Sequence, residues 1–281
     1  MKKVLLIQII ALFALHVSTS TLLQAQSLKV MTYNIRYDTP SDSVNQWGKR
    51  TGKVYTLIGK YDPDLLGVQE ALHNQVMDLV GNLKGYAYVG VGRDDGKTKG
   101  EYSALLYKKN RFSIMREGTF WLSPTPAVAG SKGWDAAITR VDTWAIMKDK
   151  PSGKTFLVLN THFDHMGKEA RRESALLIKK QAQELAGGLP VIITGDLNCM
   201  REEPPYAAFM GSEGLQVQDP APSPAPGTFC SFKVNSITCR PIDYIFHTAH
   251  WKSSAYQVIT DNDGKYYPSD HLPVFVKLER R

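Results

Sequence analysis

The sequence is poor in cysteine, with 3 in 281 residues: Cys199, Cys230 and Cys239. Their spacing matches no zinc-binding pattern, which excludes a zinc-finger or zinc-ribbon fold. If the protein matures in an oxidising compartment, Cys230 and Cys239 can form a disulfide across a small loop, which leaves Cys199 unpaired. Three buried thiols are the alternative, and the sequence alone does not decide between them.

The sequence also lacks an apolar run of membrane-spanning length. The run at residues 4–17 follows Lys2 and Lys3, is too short for a comfortable span, and leads to a small-residue cleavage point at residues 24–26. These features predict a signal peptide over residues 1–26, with an uncleaved N-terminal anchor as the alternative. Because no cysteine directly follows the run, a lipid anchor is excluded. We therefore predict an exported protein, periplasmic or secreted, without a stable membrane anchor.

A strong excess of charge of either sign is absent. The formal net charge is +7, and it falls to +5 when the signal peptide takes Lys2 and Lys3 with it, because residues 1–26 contain no acid. So small an excess does not identify nucleic acid as the partner. No linker or low-complexity tract divides residues 27–281, a length that suits one large domain. We predict a single domain over these residues, and a monomer.

Short strand-like runs are abundant, whereas helical patterns are few. The strands are expected at residues 28–37, 65–70, 86–92, 102–108, 113–122, 139–148, 154–162, 191–197, 242–247, 254–259 and 272–278. The helices are expected at residues 47–61, 73–83, 167–186 and 205–210. Some strands alternate apolar and polar residues and others are apolar throughout. Two packed sheets with helices on their outer faces accommodate this mixture best.

Acids, amides and imidazoles recur at the ends of these strands. They are Asn34, Gln69, Glu70, Glu101, His162, Asp164, His165, Asp196, Asn198, Asp243, Asp270 and His271. Such groups are costly to place at the ends of core strands, where metal ligands and general acids are usually found. Carboxylate oxygens suit Mg²⁺, and imidazoles and amides can position a phosphate and a water molecule. The set therefore predicts cleavage of a phosphate ester with a divalent metal.

Ordered motifs extend this prediction to a family. The strings TYNIR, VQE, GEYSALLY, NTHFDH, GDLN, IDYIF and SDHLPV occur in this order along nearly all of residues 27–281. Together they resemble the endonuclease/exonuclease/phosphatase superfamily, which includes deoxyribonuclease I, and the stretch from FWLSPTP to ARRES resembles a secreted bacterial branch of it. The resemblance implies an α/β fold, a two-sheet β-sandwich flanked by helices in four layers (α/β/β/α). Residues 27–281 would form one catalytic domain of this family.

The resemblance also implies roles for individual residues. Glu70 matches the main metal ligand, with Asn34 and Asp270 beside it, and the expected ion is Mg²⁺, or else Mn²⁺ or Ca²⁺. Asp196 matches the acid that orients or deprotonates the attacking water. The residues that match catalytic positions are Glu101, His162, Asp196, Asn198, Asp243 and His271, and they include two acid–imidazole pairs, Glu101 with His162 and Asp243 with His271.

The substrate is expected to be a phosphate ester. Its phosphate would contact Asn34, His162, Arg171, Asn198 and His271, and we expect both imidazoles to be partly protonated when it binds. The family cleaves nucleic acids, lipid headgroups and sugar phosphates, and the choice among them stays open. Also open are whether the ester is a mono- or a diester and whether one or two metal ions take part.

Three functions remain in competition. The leading prediction is a divalent-metal-dependent phosphoesterase that uses in-line attack by an activated water. A zinc hydrolase is suggested by the run His162-Phe163-Asp164-His165, although a metallo-β-lactamase-like site would need one more imidazole there. A non-catalytic, secreted binding module of the same fold would need a gap in the set of acids, and the sequence shows none.

Overall fold

The computed structural model describes residues 27–236 and 238–281. The predicted signal peptide, residues 1–26, lies outside the described residues. All eleven predicted strands and all four predicted helices are present, with ends that differ by a few residues. Within the described part of the chain, no helix combines the length and the hydropathy needed to cross a membrane.

The strands form two sheets. In chain order they are β1 (Leu28–Asn34), β2 (Leu65–Ala71), β3 (Tyr86–Val89), β4 (Tyr102–Lys108), β5 (Phe112–Trp121), β6 (Val141–Asp149), β7 (Thr155–His162), β8 (Val191–Asp196), β9 (Asp243–His247), β10 (Trp251–Val258) and β11 (Val274–Arg280). The first sheet has the order β10-β11-β1-β2-β4-β3 and the second the order β5-β6-β7-β8-β9. The pairs β1–β2 and β7–β8 are parallel, and the other neighbours are antiparallel.

Helices cover the outer faces of both sheets. They are α1 (Trp47–Tyr61) and α2 (His73–Asn82) on the first sheet, and α3 (Lys168–Ala186) and α4 (Pro204–Met210) on the second. The helix α3 ends where Gly187 adopts a left-handed conformation, which glycine tolerates well. A 3₁₀ segment, Pro40–Asn45, was not predicted from the sequence; Thr39 caps its first turn.

Three apolar layers hold the four structural layers together. Between the sheets, Val30 and Leu105 of the first sheet belong to the same buried cluster as Met147, Phe156 and Ile192 of the second. Separate clusters lie under α1 and α2 and under α3 and α4. Burial of this apolar surface is the main force that stabilises the sandwich. The predicted four-layer α/β/β/α architecture is confirmed.

A buried polar network joins the two sheets below the strand ends. Gln69 Nε2 of β2 donates to Asn160 Oδ1 of β7 at 2.6 Å and to Thr32 Oγ1 of β1 at 3.0 Å. Thr194 Oγ1 of β8 donates to the same Asn160 oxygen at 2.9 Å. A methyl group on Gly67 would lie 2.4 Å from that oxygen, so glycine is needed there for the sheets to approach. Buried polar groups are costly when they are unpaired. This network therefore fixes how the two sheets are positioned against each other.

The structure decides between the two alternatives for the cysteines. Cys230 and Cys239 form a disulfide, with their Cα atoms 4.5 Å apart. Cys199 is a buried free thiol. The disulfide closes a loop that runs back toward the strand β9, whose first residue is Asp243.

One buried acid lies outside the polar networks. Asp142 of β6 is fully buried, and neither carboxylate oxygen has a hydrogen-bond partner among the described residues. It shares its face of the strand with Ile146, which packs in the cluster under α3. Burial raises the pKa of Asp142 well above its ordinary value. The folded protein therefore favours the neutral form of this group.

We expect Asp142→Asn to raise the melting temperature, and to raise it more at pH 8 than at pH 5. Above the ordinary carboxyl pKa of about 3.9, the unfolded chain releases a proton that the folded chain retains, so stability is lost as pH rises toward the raised pKa. Each pH unit in that window costs about 1.4 kcal/mol, and asparagine removes the cost. Thermal melts of both proteins at the two pH values measure the effect. An equal shift at both would contradict it.

Candidate active site

Strand register brings the candidate residues to one edge of the sandwich. In the first sheet, Asn34 at the end of β1 lies opposite Gln69, the neighbour of Glu70. In the second sheet, Asp196 at the end of β8 lies between its strand partners His162 on β7 and Asp243 on β9. Because each parallel pair ends on the same side, the polar ends of both sheets meet, and ligand sites usually form at such edges.

Asn34 connects the two sheets within the site. Its Nδ2 donates to Glu70 Oε1 at 3.1 Å and to Asp196 Oδ2 at 3.0 Å. Its Oδ1 accepts the backbone N–H of Arg36 at 3.0 Å. The amide therefore spaces two carboxylates that would otherwise repel each other. Its predicted role as a metal ligand stays a prediction.

His271 lies between two buried aspartates. Its Nδ1 is 2.9 Å from Asp243 Oδ2, and its Nε2 is 3.7 Å from Asp196 Oδ2. Burial opposes a charge on the ring, but the Asp243 and Asp196 carboxylates outweigh it and raise the pKa of His271. Burial and Asp243 in turn raise the pKa of Asp196. The ring is therefore protonated and held in one orientation, as expected for the predicted pair with Asp243.

His162 is held in the opposite state. Asn198 Nδ2 donates to Phe163 O at 3.1 Å and lies 3.0 Å from His162 Nε2, so that ring nitrogen accepts and Nδ1 carries the proton. Burial, followed by the nearby Arg140 and Arg93, lowers the pKa of His162 well below its ordinary value. Burial and the two arginines therefore favour the neutral ring before substrate binds. The expectation that both imidazoles are partly protonated concerns the bound state and stays a prediction.

The predicted pair of Glu101 and His162 is not a direct hydrogen bond. Glu101 Oε2 lies 4.0 Å from His162 Nδ1, which is too far for one. Instead, Arg93 donates to both oxygens of Glu101, at 2.7 and 2.8 Å. Such a two-point contact with a guanidinium is strong and directional, and it draws the carboxylate away from the ring.

Glu70 and Asp270 form an acidic pair on the other side of the site. Arg36 lies between them, with its Nη1 3.7 Å from Glu70 Oε2 and its Nε 3.9 Å from Asp270 Oδ2. Burial raises the pKa of Asp270, and the Glu70 carboxylate adds to the effect. A half-buried and a buried carboxylate that converge on one cation are suited to a hard divalent ion.

A second group of residues has the spacing to bind a metal ion. One ligand atom from each of Asp196, Asp243 and His271 lies within 4.8 Å of the others, and all three residues are buried. The hydrogen bond between His271 and Asp243 uses the ring nitrogen that faces that acid. Because His271 Nδ1 is engaged by Asp243, Nε2 is the ring nitrogen left to face a metal ion or a substrate.

Three residues of the site have left-handed backbone conformations. Arg36, Glu70 and Asn198 have positive φ angles of 57°, 62° and 47°. Such conformations are uncommon for residues with a side chain, although Asp62 and Ala255 adopt them outside the site. The turn at Arg36 also explains why β1 ends at Asn34, before the residue at which the sequence predicts its end.

Two predictions on the flank of the site need correction. Arg171, predicted to contact the substrate, does not line the cavity, because its guanidinium donates to Asp164 O at 3.2 Å and lies 3.8 Å from Glu203. Asp164, considered as a zinc ligand, has both oxygens occupied by backbone N–H groups of residues 137, 138, 166 and 167. Both residues hold loops in place, and the zinc-hydrolase alternative loses one of its ligands.

The candidate residues border a cavity of about 440 Å³. Glu70, Glu101, His162, Asp196, Asn198, Asp270 and His271 line it, whereas Asp243 lies behind His271. His165, named in the zinc alternative, also lines it, and residues that the sequence did not assign complete the wall: Arg36, Tyr37, Ile138, Arg140, Phe229, Arg240 and Ile242. Arg36 follows Asn34 by two residues and could have been found from that motif. The loop residues carry no local signal, because only the fold brings them to the cavity.

Comparison with known proteins identifies the family. The pattern of the Endonuclease/Exonuclease/phosphatase family matches residues 31–271. The chain belongs to this family. This family contains nucleases and phosphatases, which are hydrolases of phosphate esters. The predicted membership in the family is confirmed.

Solved structures support the same assignment. A family member from Bacteroides vulgatus is 39% identical, with a TM-score of 0.85 over 91% of this chain and 99% of that chain. A mannosyl-6-phosphatase from Bacteroides thetaiotaomicron is 41% identical, with a TM-score of 0.84 over 90% of this chain and 99% of that chain. The human Nocturnin catalytic domain is 21% identical with a TM-score of 0.73, a likeness of fold alone.

Curated relatives are more distant. The probable RNA exonuclease NGL3 of Saccharomyces cerevisiae is 28% identical over 205 residues, which are 65% of this chain and 39% of that protein. The protein R895 of Acanthamoeba polyphaga mimivirus is 26% identical over 211 residues, which are 62% of this chain and 31% of that protein. The chain thus spans well under two thirds of the length of either relative.

Proposed function

We propose that the protein is a divalent-metal-dependent phosphoesterase that hydrolyses a sugar phosphate by attack of an activated water. The observation that carries this proposal is the convergence of Glu70, Asp270, Asp196 and His271 on one cavity. The size of the cavity suits one sugar phosphate better than a nucleic acid duplex. The 41% identity to a mannosyl-6-phosphatase over nearly the whole of both chains supports the same substrate class.

Glu70 and Asp270 are the residues we assign to the metal ion, with Asn34 beside them. Their donor set is made of hard oxygens, which fits Mg²⁺, Mn²⁺ or Ca²⁺. We prefer them to the group around His271, because the Nδ1 of that ring and Asp243 Oδ2 already bind each other at 2.9 Å. When bound, a divalent ion neutralises the phosphate and stabilises the charge that develops on its oxygens.

The remaining residues provide the proton transfers. Asp196, whose pKa is raised by burial and Asp243, accepts a proton from the water that attacks phosphorus. His271 donates a hydrogen bond to a phosphate oxygen, and Asp243 holds its ring in place. Asn198 holds His162 at the opposite wall through the ring's Nε2, which leaves Nδ1 as the ring's donor. Phosphorus forms its bond to the water oxygen as its bond to the ester oxygen breaks, and the ester oxygen takes a proton from solvent and leaves as an alcohol.

Export remains part of the proposal. The disulfide between Cys230 and Cys239 supports it, because disulfides persist in oxidising compartments.

A substrate panel on purified residues 27–281 tests the proposal. The panel contains mannose 6-phosphate, glucose 6-phosphate, glycerol 3-phosphate, bis-p-nitrophenyl phosphate, DNA and RNA, each assayed with Mg²⁺ and with EDTA. We expect Mg²⁺-dependent release of phosphate from the hexose phosphates. Activity on DNA or RNA alone would make nucleic acids, and not sugar phosphates, the substrate class. Inactivity on the whole panel would favour a non-catalytic binding module.

We expect Glu70→Gln to weaken Mg²⁺ binding by about 10- to 100-fold, because the amide keeps the shape of the side chain but removes its charge. The concentration of Mg²⁺ that gives half-maximal activity should rise by that factor, and calorimetric titration of Mg²⁺ should show the same loss. Glu117→Gln on β5, which does not line the active-site cavity, is the control. If Glu70→Gln needed the same Mg²⁺ concentration as the wild type, Glu70 would not be the metal ligand and the ion would have to bind another group of residues.

A further inference from the structure

A disulfide-closed segment forms one wall of the active-site cavity. We call residues 228–240 the strap, of which residue 237 is outside the described part. Phe229 makes bridge contacts with both Arg240 and His271. The backbone N–H of Leu272 donates to Thr228 O at 2.6 Å, and that of Cys230 donates to Asp270 O at 2.8 Å. The strap is therefore fixed to the loop that carries Asp270 and His271.

The same strap is fixed to the strand that carries Asp243. Thr228 Oγ1 accepts the backbone N–H groups of Ile242 at 3.1 Å and Asp243 at 3.2 Å. The disulfide joins the residues next to Phe229 and Arg240, so the two arms of the strap are covalently held beside each other. The backbone at Phe229 and at Arg240 is consequently held in place relative to His271.

Phe229 and Arg240 together present a ring and a cation to the cavity. The Phe229 ring is half-buried, and its centroid lies 4.9 Å from that of the His271 ring. The guanidinium carbon of exposed Arg240 lies 5.2 Å from the Phe229 centroid. Both residues line the cavity. The wall thus combines apolar ring surface with hydrogen-bond donors.

Arg240 differs from the other arginines of the cavity in the contacts it makes. Arg36 is committed to Asp42, with Glu70 and Asp270 close by. Arg140 is nearly fully buried and contacts His165. For Arg240, the side-chain contact within residues 27–236 and 238–281 is the stacking on Phe229. Its guanidinium keeps its donors for a ligand.

We propose that Phe229 and Arg240 form the subsite that selects the leaving group of the substrate, a hydroxyl-bearing ring such as a hexose. This inference rests on the proposed function, which places the scissile phosphate at His271. A group attached to that phosphate extends beside the Phe229 ring, which lies directly against His271. The C–H face of a sugar packs on an aromatic ring, and sugar hydroxyls accept hydrogen bonds from a guanidinium. The strap is a specificity element, and the acids across the cavity perform the chemistry.

The test measures two quantities in each variant: hydrolysis of mannose 6-phosphate, which depends on the leaving group, and inhibition by inorganic phosphate, which does not. For Phe229→Ala and Arg240→Ala, we expect kcat/KM for mannose 6-phosphate to fall by about 10-fold or more. Inhibition by inorganic phosphate, which lacks the leaving group, should change by less than about 2-fold, because its binding site is intact. Arg240→Lys should recover part of the loss, since lysine keeps the charge but not the two-point donor geometry.

A matched control exists on the other sheet edge. Arg116→Ala removes an exposed arginine that stacks on Trp144, with its guanidinium carbon 5.7 Å from the ring centroid, outside the cavity. It should leave both measurements unchanged. Thermal melts of every variant identify losses that come from unfolding, and Arg240 is exposed enough that its substitution should not cause one.

Each outcome decides the proposal. Equal losses in hydrolysis and in phosphate inhibition would make the strap a general support of His271 and overturn the subsite. An unchanged kcat/KM in the variants would also overturn the subsite, as would a wild-type protein that prefers glycerol 3-phosphate to hexose phosphates. In each of these cases the proposed phosphoesterase activity still stands. A wild-type protein inactive on every phosphate ester would overturn the proposed function and the subsite together.

Discussion

Asp196→Asn is expected to lower kcat/KM for mannose 6-phosphate by at least about 10³-fold, because it removes the acceptor for the proton of the attacking water. The asparagine has the same shape, and its oxygen can still accept the backbone N–H of Asn198, which now lies 2.8 Å from Asp196 Oδ1. Its amide nitrogen, however, faces the donor Nδ2 of Asn34 in place of an acceptor. Phosphate release under saturating Mg²⁺ measures the loss.

A buried aspartate on the same sheet provides the control for this variant. Asp142→Asn makes the same chemical change in a residue that is also fully buried but does not line the cavity. It should retain wild-type activity while Asp196→Asn loses it. If the two variants lost activity equally, the effect of Asp196→Asn would be one of burial and folding, and the proposed role as proton acceptor would fail.

The fold was predictable because local patterns specify it. The helix α1 begins and ends where the sequence predicts, at Trp47 and Tyr61, and Asp62-Pro63 follows it. Every predicted strand is present because alternating or continuous apolar runs have few other ways to be buried. The 3₁₀ segment at Pro40–Asn45 was missed, since its buried surface is negligible and turn-like residues fill it. Strand ends were less certain, because a change of one backbone angle, as at Arg36, can end a strand.

The residues of the candidate site at the ends of strands were predictable from the sequence, but the side chains that contact them were not. Asp196, Asp243 and His271 lie together as the motifs predict, because register fixes neighbours on adjacent strands. The partner of Glu101 was not predictable, because Arg93 reaches it from a loop. Burial, followed by Arg140, lowers the pKa of His162, and only the fold determines both. Contacts between distant loops leave no periodic signal in a sequence.

The other large effect is expected at His271. We expect His271→Gln and Asp243→Asn each to lower kcat/KM by about 10²- to 10⁴-fold, with Asp243→Asn the smaller of the two. The reason is that Asp243 does not reach the cavity and acts through the ring that it holds at 2.9 Å. Removing the ring should therefore abolish the part of the Asp243 effect that passes through it, which leaves the influence of Asp243 on the pKa of Asp196. The double variant should then be little slower than His271→Gln alone.

A double-mutant cycle, measured over a range of pH, tests whether Asp243 acts through His271 or whether the two residues contribute to catalysis independently. In Asp243→Asn the pKa of His271 should fall, because one of the two flanking carboxylates that raise it is gone, so activity should be lost at a lower pH than in the wild type. His247→Gln, a buried histidine at the opposite end of the same strand, is the control and should keep both activity and profile. Losses that multiply in the double variant would show that Asp243 contributes without the imidazole. The hydrogen bond between them would then be structural, and the charge that stabilises the phosphate would have to come from elsewhere in the cavity, for which buried Arg140 at its wall is one source.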